Sequence, residues 1–285
     1  MPLQLYEIQG LNSLAFAMLL FLLASGFSLI YGVGRIANLA HGTFYMLGAY
    51  VGFTVAQHAN FWLALAVAPL AGAVFGWLVE RLLLRRLHGR ELDQVLLTVG
   101  LAFVLADVIR AIWGADIRSS LPPPQLSRLV PIFGIQYPAY QLFVIVVGAL
   151  VFAAVQYSLR TPLGARLRAV SSDPQIAVSL GVPVATVRSI TFANSVALAA
   201  FGGAIGGPII ALAPGLDLTM MLLALIVVVV GGLGSVAGAL VGAIIVALVD
   251  GFGRLQFPEF ATFSIFALMV IVLTFRPQGL LGKRG

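Results

Sequence analysis

Residues 10–33 read GLNSLAFAMLLFLLASGFSLIYGV, 24 consecutive positions without a formal charge. A helix of that length rises ~36 Å at 1.5 Å per residue, enough to cross a hydrocarbon core of ~30 Å. Eight further apolar stretches follow near 38–57, 61–79, 95–113, 139–158, 189–212, 218–231, 235–249 and 260–275. Across all nine, only Asp107 and Arg110 are charged at neutral pH. Composition agrees: 61% of the 285 residues are hydrophobic and 9% are charged, against ~25% charged in a soluble domain. Mean hydropathy is +1.07. The fold class expected is an all-α polytopic membrane protein with eight to nine transmembrane or re-entrant helical segments. Connectors of at most about 30 residues leave no room for a soluble domain, so 1–285 reads as one integral domain.

Where the charge sits decides what it means. With the N-terminus outside, the inner connectors hold Arg35, Arg81, Arg85, Arg86, Arg90, Arg160, Arg166, Arg168, Arg188, Arg276, Lys283 and Arg284, twelve of the 16 basic residues. Arg110, Arg118, Arg128 and Arg254 fall outside. The positive-inside rule then gives N-out, C-in. The net charge of +6 is thus a topology signal and not a nucleic-acid footprint. Met1–Gln9 contains Glu7 and no Lys or Arg, unlike the basic start of a cleaved signal peptide, so the first helix is expected to persist. With no cysteine, disulfides, thiolate metal sites and Cys nucleophiles are excluded.

Two stretches, 218–231 and 235–249, are short for a crossing and flank Gly231-Gly232-Leu233-Gly234-Ser235. They read either as tilted partners in a Gly-rich hairpin or as a re-entrant pair. Non-helical backbone at membrane depth needs protein or a water-filled cavity around it, which makes Gly231, Gly232, Gly234 and Ser235 candidates for a translocation pathway. Close helix packing is the competing reading, and it covers the four-residue spacings Gly48/Gly52, Gly72/Gly76, Gly202/Gly206, Gly203/Gly207 and Gly238/Gly242 as well. A helix break is expected within Gly202–Pro208. Tyr31-Gly32-Val33-Gly34-Arg35 resembles the later Gly-rich turn and hints at an internal repeat. The segment Gly114–Pro138, with Pro122-Pro123-Pro124, Pro131 and Pro138, is expected to be extended with little helix.

Asn38, His41 and Tyr45, spaced i, i+3, i+7, form a polar stripe beside Gly42 on an otherwise apolar helix. They either hydrogen-bond to neighbouring helices or line the inner mouth of the pathway. Asp107 and Arg110, at i, i+3, share a face on which they can neutralise one another. In the inner segment 160–188, Asp173 is placed to cap a helix beginning at Pro174, and Gly181 suits the left-handed residue after its end. The product is a two-turn helix too short to stand alone, so it needs a surface to dock on. It reads as a capped turn on the headgroups or as a lever into a cytoplasmic partner. No P-loop is present, since the one lysine, Lys283, lies three residues from the end. HExxH, GxSxG and paired-carboxylate motifs are missing too, so no enzymatic chemistry is expected of this chain.

Four blocks carry a family resemblance: Asn38-Leu-Ala-His41-Gly42-Thr-Phe-Tyr45-Met-Leu-Gly48-Ala-Tyr50, the stretch Gly164 to Gly181, Gly231-Gly-Leu-Gly-Ser235-Val-Ala-Gly238-Ala239, and Arg276-Pro-Gln-Gly279-Leu-Leu-Gly282. In that order, over roughly residues 10–282, they resemble the LivH-type permeases of branched-chain amino acid ABC importers. The resemblance implies a multi-pass subunit of the bacterial inner membrane that works by alternating access. Its implied partners are a second, LivM-like permease, two cytoplasmic ATP-binding subunits that hold the ATP and Mg, and a periplasmic substrate-binding protein. No cofactor is implied on this chain. It also implies that 172–181 is the coupling helix, with Ala169, Ser172, Asp173, Pro174, Ala177 and Gly181 in the segment that meets the ATPase. Leu39 stands where the family often has Phe, and Ala17 and Leu20 where Gly and Tyr are frequent. Branched-chain amino acids are therefore the default cargo among urea, short amides, aromatic acids and other small carboxylates. A passive channel for urea or another small neutral solute, and an ion-coupled secondary carrier, are the alternatives.

Overall fold

The computed structural model describes residues 2–34, 38–132 and 134–282. Arg35, Lys283 and Arg284, three positions used for the topology, lie outside the described residues. Each of the nine apolar stretches is a helix: α1 (Pro2–Gly34), α2 (His41–His58), α3 (Phe61–Leu82), α4 (Glu91–Trp113), α5 (Ala139–Arg160), then, after two short helices α6 (Pro162–Ser172) and α7 (Pro174–Ser179), α8 (Val184–Gly206), α9 (Leu216–Gly231), α10 (Val236–Gln256) and α11 (Ala261–Phe275). Among the described residues, six helices, α1, α3, α4, α5, α8 and α10, are long and apolar enough to cross a membrane.

α1 and α8 form the centre of the bundle. α8 packs between α1, α2 and α3, and α1 also meets α5 and α10. Small residues let the backbones touch: a Cβ on Gly48 of α2 would strike the backbone of Ala200 of α8, and one on Gly76 of α3 would come within 2.8 Å of Val196. The four-residue glycine spacing is thus a packing device here, as lipid-embedded helices require.

The helix ends sort into two faces. One, the basic end, collects the C-termini of α1, α3 and α5, the N-terminus of α8 and the turn between α9 and α10. There Ser171 of α6 donates to the Gly32 carbonyl, and a Cβ on Gly32 would lie 3.3 Å from the Gly234 Cα, so the two similar Gly-rich turns stand against each other. The other, the hairpin end, carries the segment 114–138. That segment is not merely extended: after a 3-10 turn at Pro124–Leu126 it forms an antiparallel ribbon, β1 (Leu129–Ile132) with β2 (Ile135–Pro138), pairing Leu129 with Pro138 and Ile132 with Ile135. A two-stranded ribbon tolerates Pro131 and Pro138 because every strand in it is an edge. Buried Tyr137 fastens it to α1 by donating to Asn12 Oδ1 at 3.1 Å.

α10 and α8 end well away from the ends of their apolar stretches. α10 runs 21 residues to Gln256 and is long enough to cross, where the apolar stretch stopped at 249. Asp250 and Arg254 pair at 2.9 Å one turn apart, so the helix continues through charges that end the apolar run. α8 runs through Gly202 and Gly203 and ends at Gly206, inside the interval Gly202–Pro208 where a break is expected and short of the end of its apolar stretch at 212. α6 precedes the capped helix and begins with Pro162 in its first turn. α9 remains short at 16 residues.

Candidate functional site

At the basic end, α7 is defined by its caps. Asp173 Oδ1 accepts from the N–H groups of Gln175 at 2.8 Å and Ile176 at 3.0 Å. At the other end Gly181 has φ +77°, its N–H donates to Val178 and that of Val182 to Ala177, which is a complete Schellman motif. Buried Ala177 packs with Leu167, Val170 and Val187, with Ala169 at the edge of the cluster and Val33 of α1 beside it. Asp173 and Pro174 therefore start the helix, Ser172 ends α6, and Ala177 and Gly181 hold its inner side and its end. The outer side presents Ile176, Val178 and Leu180, 59%, 61% and 74% exposed. Three uncovered apolar side chains beyond the ends of the long helices form a protrusion that suits a protein partner.

On the flank of the bundle, α2, α4 and α9 enclose a cavity of about 480 Å³. It extends along α4 from Val99 to Gly114, ~22 Å at helical rise. Its lining is largely apolar, with Met46, Ala102 and Leu225; Asp107 and Arg110 enter its wall towards the hairpin end, and Asp217 enters it beside the first turn of α2. Asp217, 6% exposed, sits in the first turn of α9, and Thr43 of α2 donates to its Oδ2 at 3.4 Å. A Cβ on Gly42 would come within 2.9 Å of Met221 N, so the first turns of α2 and α9 meet beside the cavity. His41 shows how far inside α2 begins. Its Nε2 donates to the Leu23 carbonyl at 2.9 Å, eleven residues or ~16 Å short of the end of α1. Two helices that start within the bundle next to a cavity with charged groups are the arrangement by which transporters present backbone ends to solutes. The mouth is stapled: the Arg118 N–H and carbonyl exchange bonds with Leu212, both 2.8 Å, its guanidinium donates to Trp113 O at 2.5 Å, and Trp113 Nε1 donates to Thr54 at 2.7 Å.

The residues singled out in the sequence divide between packing and turns. Asn38, His41 and Tyr45 are buried, and they face α1 and α8 instead of the cavity. Asn38 Oδ1 accepts from Ala40 N at 3.2 Å and so shapes the turn into α2, while the Tyr45 hydroxyl lies against Gly206. Gly42 is a contact point with α9. Gly231, Gly232, Gly234 and Ser235 make the turn at the basic end, where Gly232 and Gly234 have φ +111° and +77° and the Ser235 hydroxyl caps α10 by accepting from Gly238 N at 3.0 Å. The C-terminal block closes that turn, since Leu280 and Leu281 donate to the carbonyls of Val230 and Gly231, both at 2.9 Å. Asp107 and Arg110 form no ion pair with each other; both face outward at the cavity wall.

Glu80 was invisible as a site. At the end of α3 it reads as a connector charge, yet it is fully buried and Ser189 of α8 donates to its Oε2. His88 Nε2 lies 3.6 Å from Oε1. Desolvation, then Arg188 and Arg85, hold the His88 imidazole below its ordinary range. The signal was available only as the recurrence of Arg, His and Glu around two connectors that meet in space.

Residues 10–274 match the family described as branched-chain amino acid transport system / permease component. The chain is 28% identical to the high-affinity branched-chain amino acid transport system permease protein BraD of Pseudomonas aeruginosa, over 98% of this chain and 96% of that protein. It is 27% identical to the corresponding permease protein LivH of Escherichia coli K12, over 92% of this chain and 91% of that one. To LivM of the same organism it is 28% identical, over 93% of this chain and 68% of that protein. No solved structure matches it.

Proposed function

The chain belongs to the family of branched-chain amino acid transport system permease components, and on that premise we propose that it is the membrane subunit through which an ATP-driven importer passes branched-chain amino acids or close relatives of them. It is a transport subunit and not an enzyme. Because the chain is similar to both LivH and LivM, two permease proteins of one organism, its partner is a second chain of the same fold, and the two close a shared pathway. Two ATP-binding subunits supply the energy at the basic end, which lies in the cytoplasm of a bacterial inner membrane. A periplasmic binding protein delivers cargo to the hairpin end. This orientation follows from the arginines gathered at one face.

The observation that carries the reading is α7: a helix of six residues, capped at both ends, resting on α6 and α8 and turning Ile176, Val178 and Leu180 outward. Closure of the ATPases pushes α7, and α6 and α8 transmit the displacement to the bundle. Asp173→Ala removes a cap worth ~1 kcal/mol, about as much as so short a helix has to spare. In proteoliposomes with all subunits present, Asp173→Ala and Gly181→Val are expected to hydrolyse ATP while ATP-driven leucine uptake falls, and Leu180→Glu to lose the ATP-binding subunits on co-purification. Uptake and co-purification at wild-type levels in all three would refute the lever.

A further inference from the structure

The importer reading leaves open which chemistry in this chain recognises the cargo, and the cavity between α2, α4 and α9 offers an answer. Its volume of about 480 Å³ lies inside the ~300–1,000 Å³ range of small-molecule sites. Its apolar lining, which includes Met46, Ala102 and Leu225, can take an apolar side chain. Its upper wall carries charges of both signs, which membrane-spanning helices do not retain at an apolar face without a purpose. Arg110 pairs with no described residue, Asp107 has no ion-pair partner among them, and Asp217, though 6% exposed, has only a 3.4 Å contact from Thr43.

We propose that this cavity is a binding site for a zwitterionic amino acid with an apolar side chain, in which Arg110 takes the carboxylate and Asp217, with Asp107, takes the ammonium group. The inference rests on the importer reading, because only a subunit that passes solutes has use for such a site at this depth. The charge pattern sets the substrate class. A zwitterion satisfies both signs; a carboxylic acid without an amine meets two carboxylates against one guanidinium; urea leaves all three groups without a counter-charge. The permease then contributes to selectivity, and it rejects simple organic anions. The stapled mouth at Trp113, Arg118 and Leu212 sits beside the end of α4 that carries Arg110, so the carboxylate of the solute lies nearest the entrance.

The test uses the complete importer in proteoliposomes with enclosed ATP and radiolabelled leucine as the probe. Arg110→Gln and Asp217→Asn are expected to lower leucine uptake about tenfold, as loss of one charge-assisted contact does, and Arg110→Lys to retain most of it. Arg110 is exposed and unbonded, so its variants should yield the assembled complex in wild-type amount, and they carry the test should Asp217→Asn fail to assemble. Wild-type leucine uptake in both neutral variants would overturn the site and leave the importer standing. Equal losses in Arg110→Gln and Arg110→Lys would overturn it too, by showing that shape and not charge matters there. Absence of ATP-dependent uptake by the wild-type complex would instead overturn the importer reading itself.

Discussion

α1 and α4 are both long apolar helices, yet 83% of the most apolar window of α1 is buried inside the chain and only 17% of that of α4. α1, with its neighbour α8, buries polar groups and satisfies several of them locally: Ser25 donates to Leu22 at 3.0 Å, Ser195 to Gly26 at 2.7 Å, and His41 to Leu23. α4 touches little besides α2 and turns Asp107 and Arg110 outward. Polar groups on the packed side thus serve mainly the structure, and on the proposed reading those on the loose side serve the solute. On the proposed reading that difference separates scaffold from pathway in a molecule where both are made of the same apolar helix.

The largest expected effect tests the packed side. Gly48→Leu forces a side chain into the backbone of Ala200, which has no room to retreat because α8 is held by α1 and α3 as well. No folded monomer is expected on size-exclusion chromatography. Val104→Leu on the outward face of α4, where Val104 is 60% exposed, should shift stability by less than about 0.5 kcal/mol. Equal tolerance at the two positions would erase the contrast.

Next in size is Glu80, a charge placed on the packed side. Glu80→Ala leaves Arg188 and His88 without their carboxylate and the Ser189 hydroxyl without its acceptor, a loss of about 3 kcal/mol in denaturant unfolding. Glu80→Gln keeps an acceptor for Ser189 and should cost less. If Glu80→Ala unfolds at the wild-type denaturant concentration, this carboxylate belongs with the outward-facing charges of α4 and not with the scaffold.

The same contrast explains what could be read before the fold was known. Apolar runs of about 15 residues or more announce helices because hydrocarbon admits nothing else, so all nine were legible. So were the caps of α7, which rest on residues within three or four positions of each other. Which face of a helix meets which neighbour is a different matter. On α2 the stripe Asn38, His41, Tyr45 stood out because it is polar, while the cavity is faced by Leu39, Met46 and Tyr50, an equally periodic set that carries no chemical signal. Glu80 needed Ser189, more than a hundred residues away, to become a buried residue. Likewise the end of α10 depended on one ion pair between Asp250 and Arg254, which an apolar count takes as a boundary.

The smallest effect concerns His88, in the connector that joins the packed α3 to the loose α4. Desolvation with Arg188 and Arg85 lowers its pKa in the folded chain, so below the ordinary imidazole value of ~6.5 the unfolded chain binds more protons than the folded one. Stability should then be flat above pH ~7.5 and fall as pH drops through ~6.5 towards the folded pKa. His88 remains partly solvated, with its side chain 20% exposed, so the fall is a fraction of a kcal/mol. It is read as the difference between wild type and His88→Gln across that window, which removes the titration of the carboxylates common to both. A larger drop in wild type places the joint under the arginines of the packed side. Parallel curves would mean that solvent reaches the imidazole freely, and the connector would then move with α4.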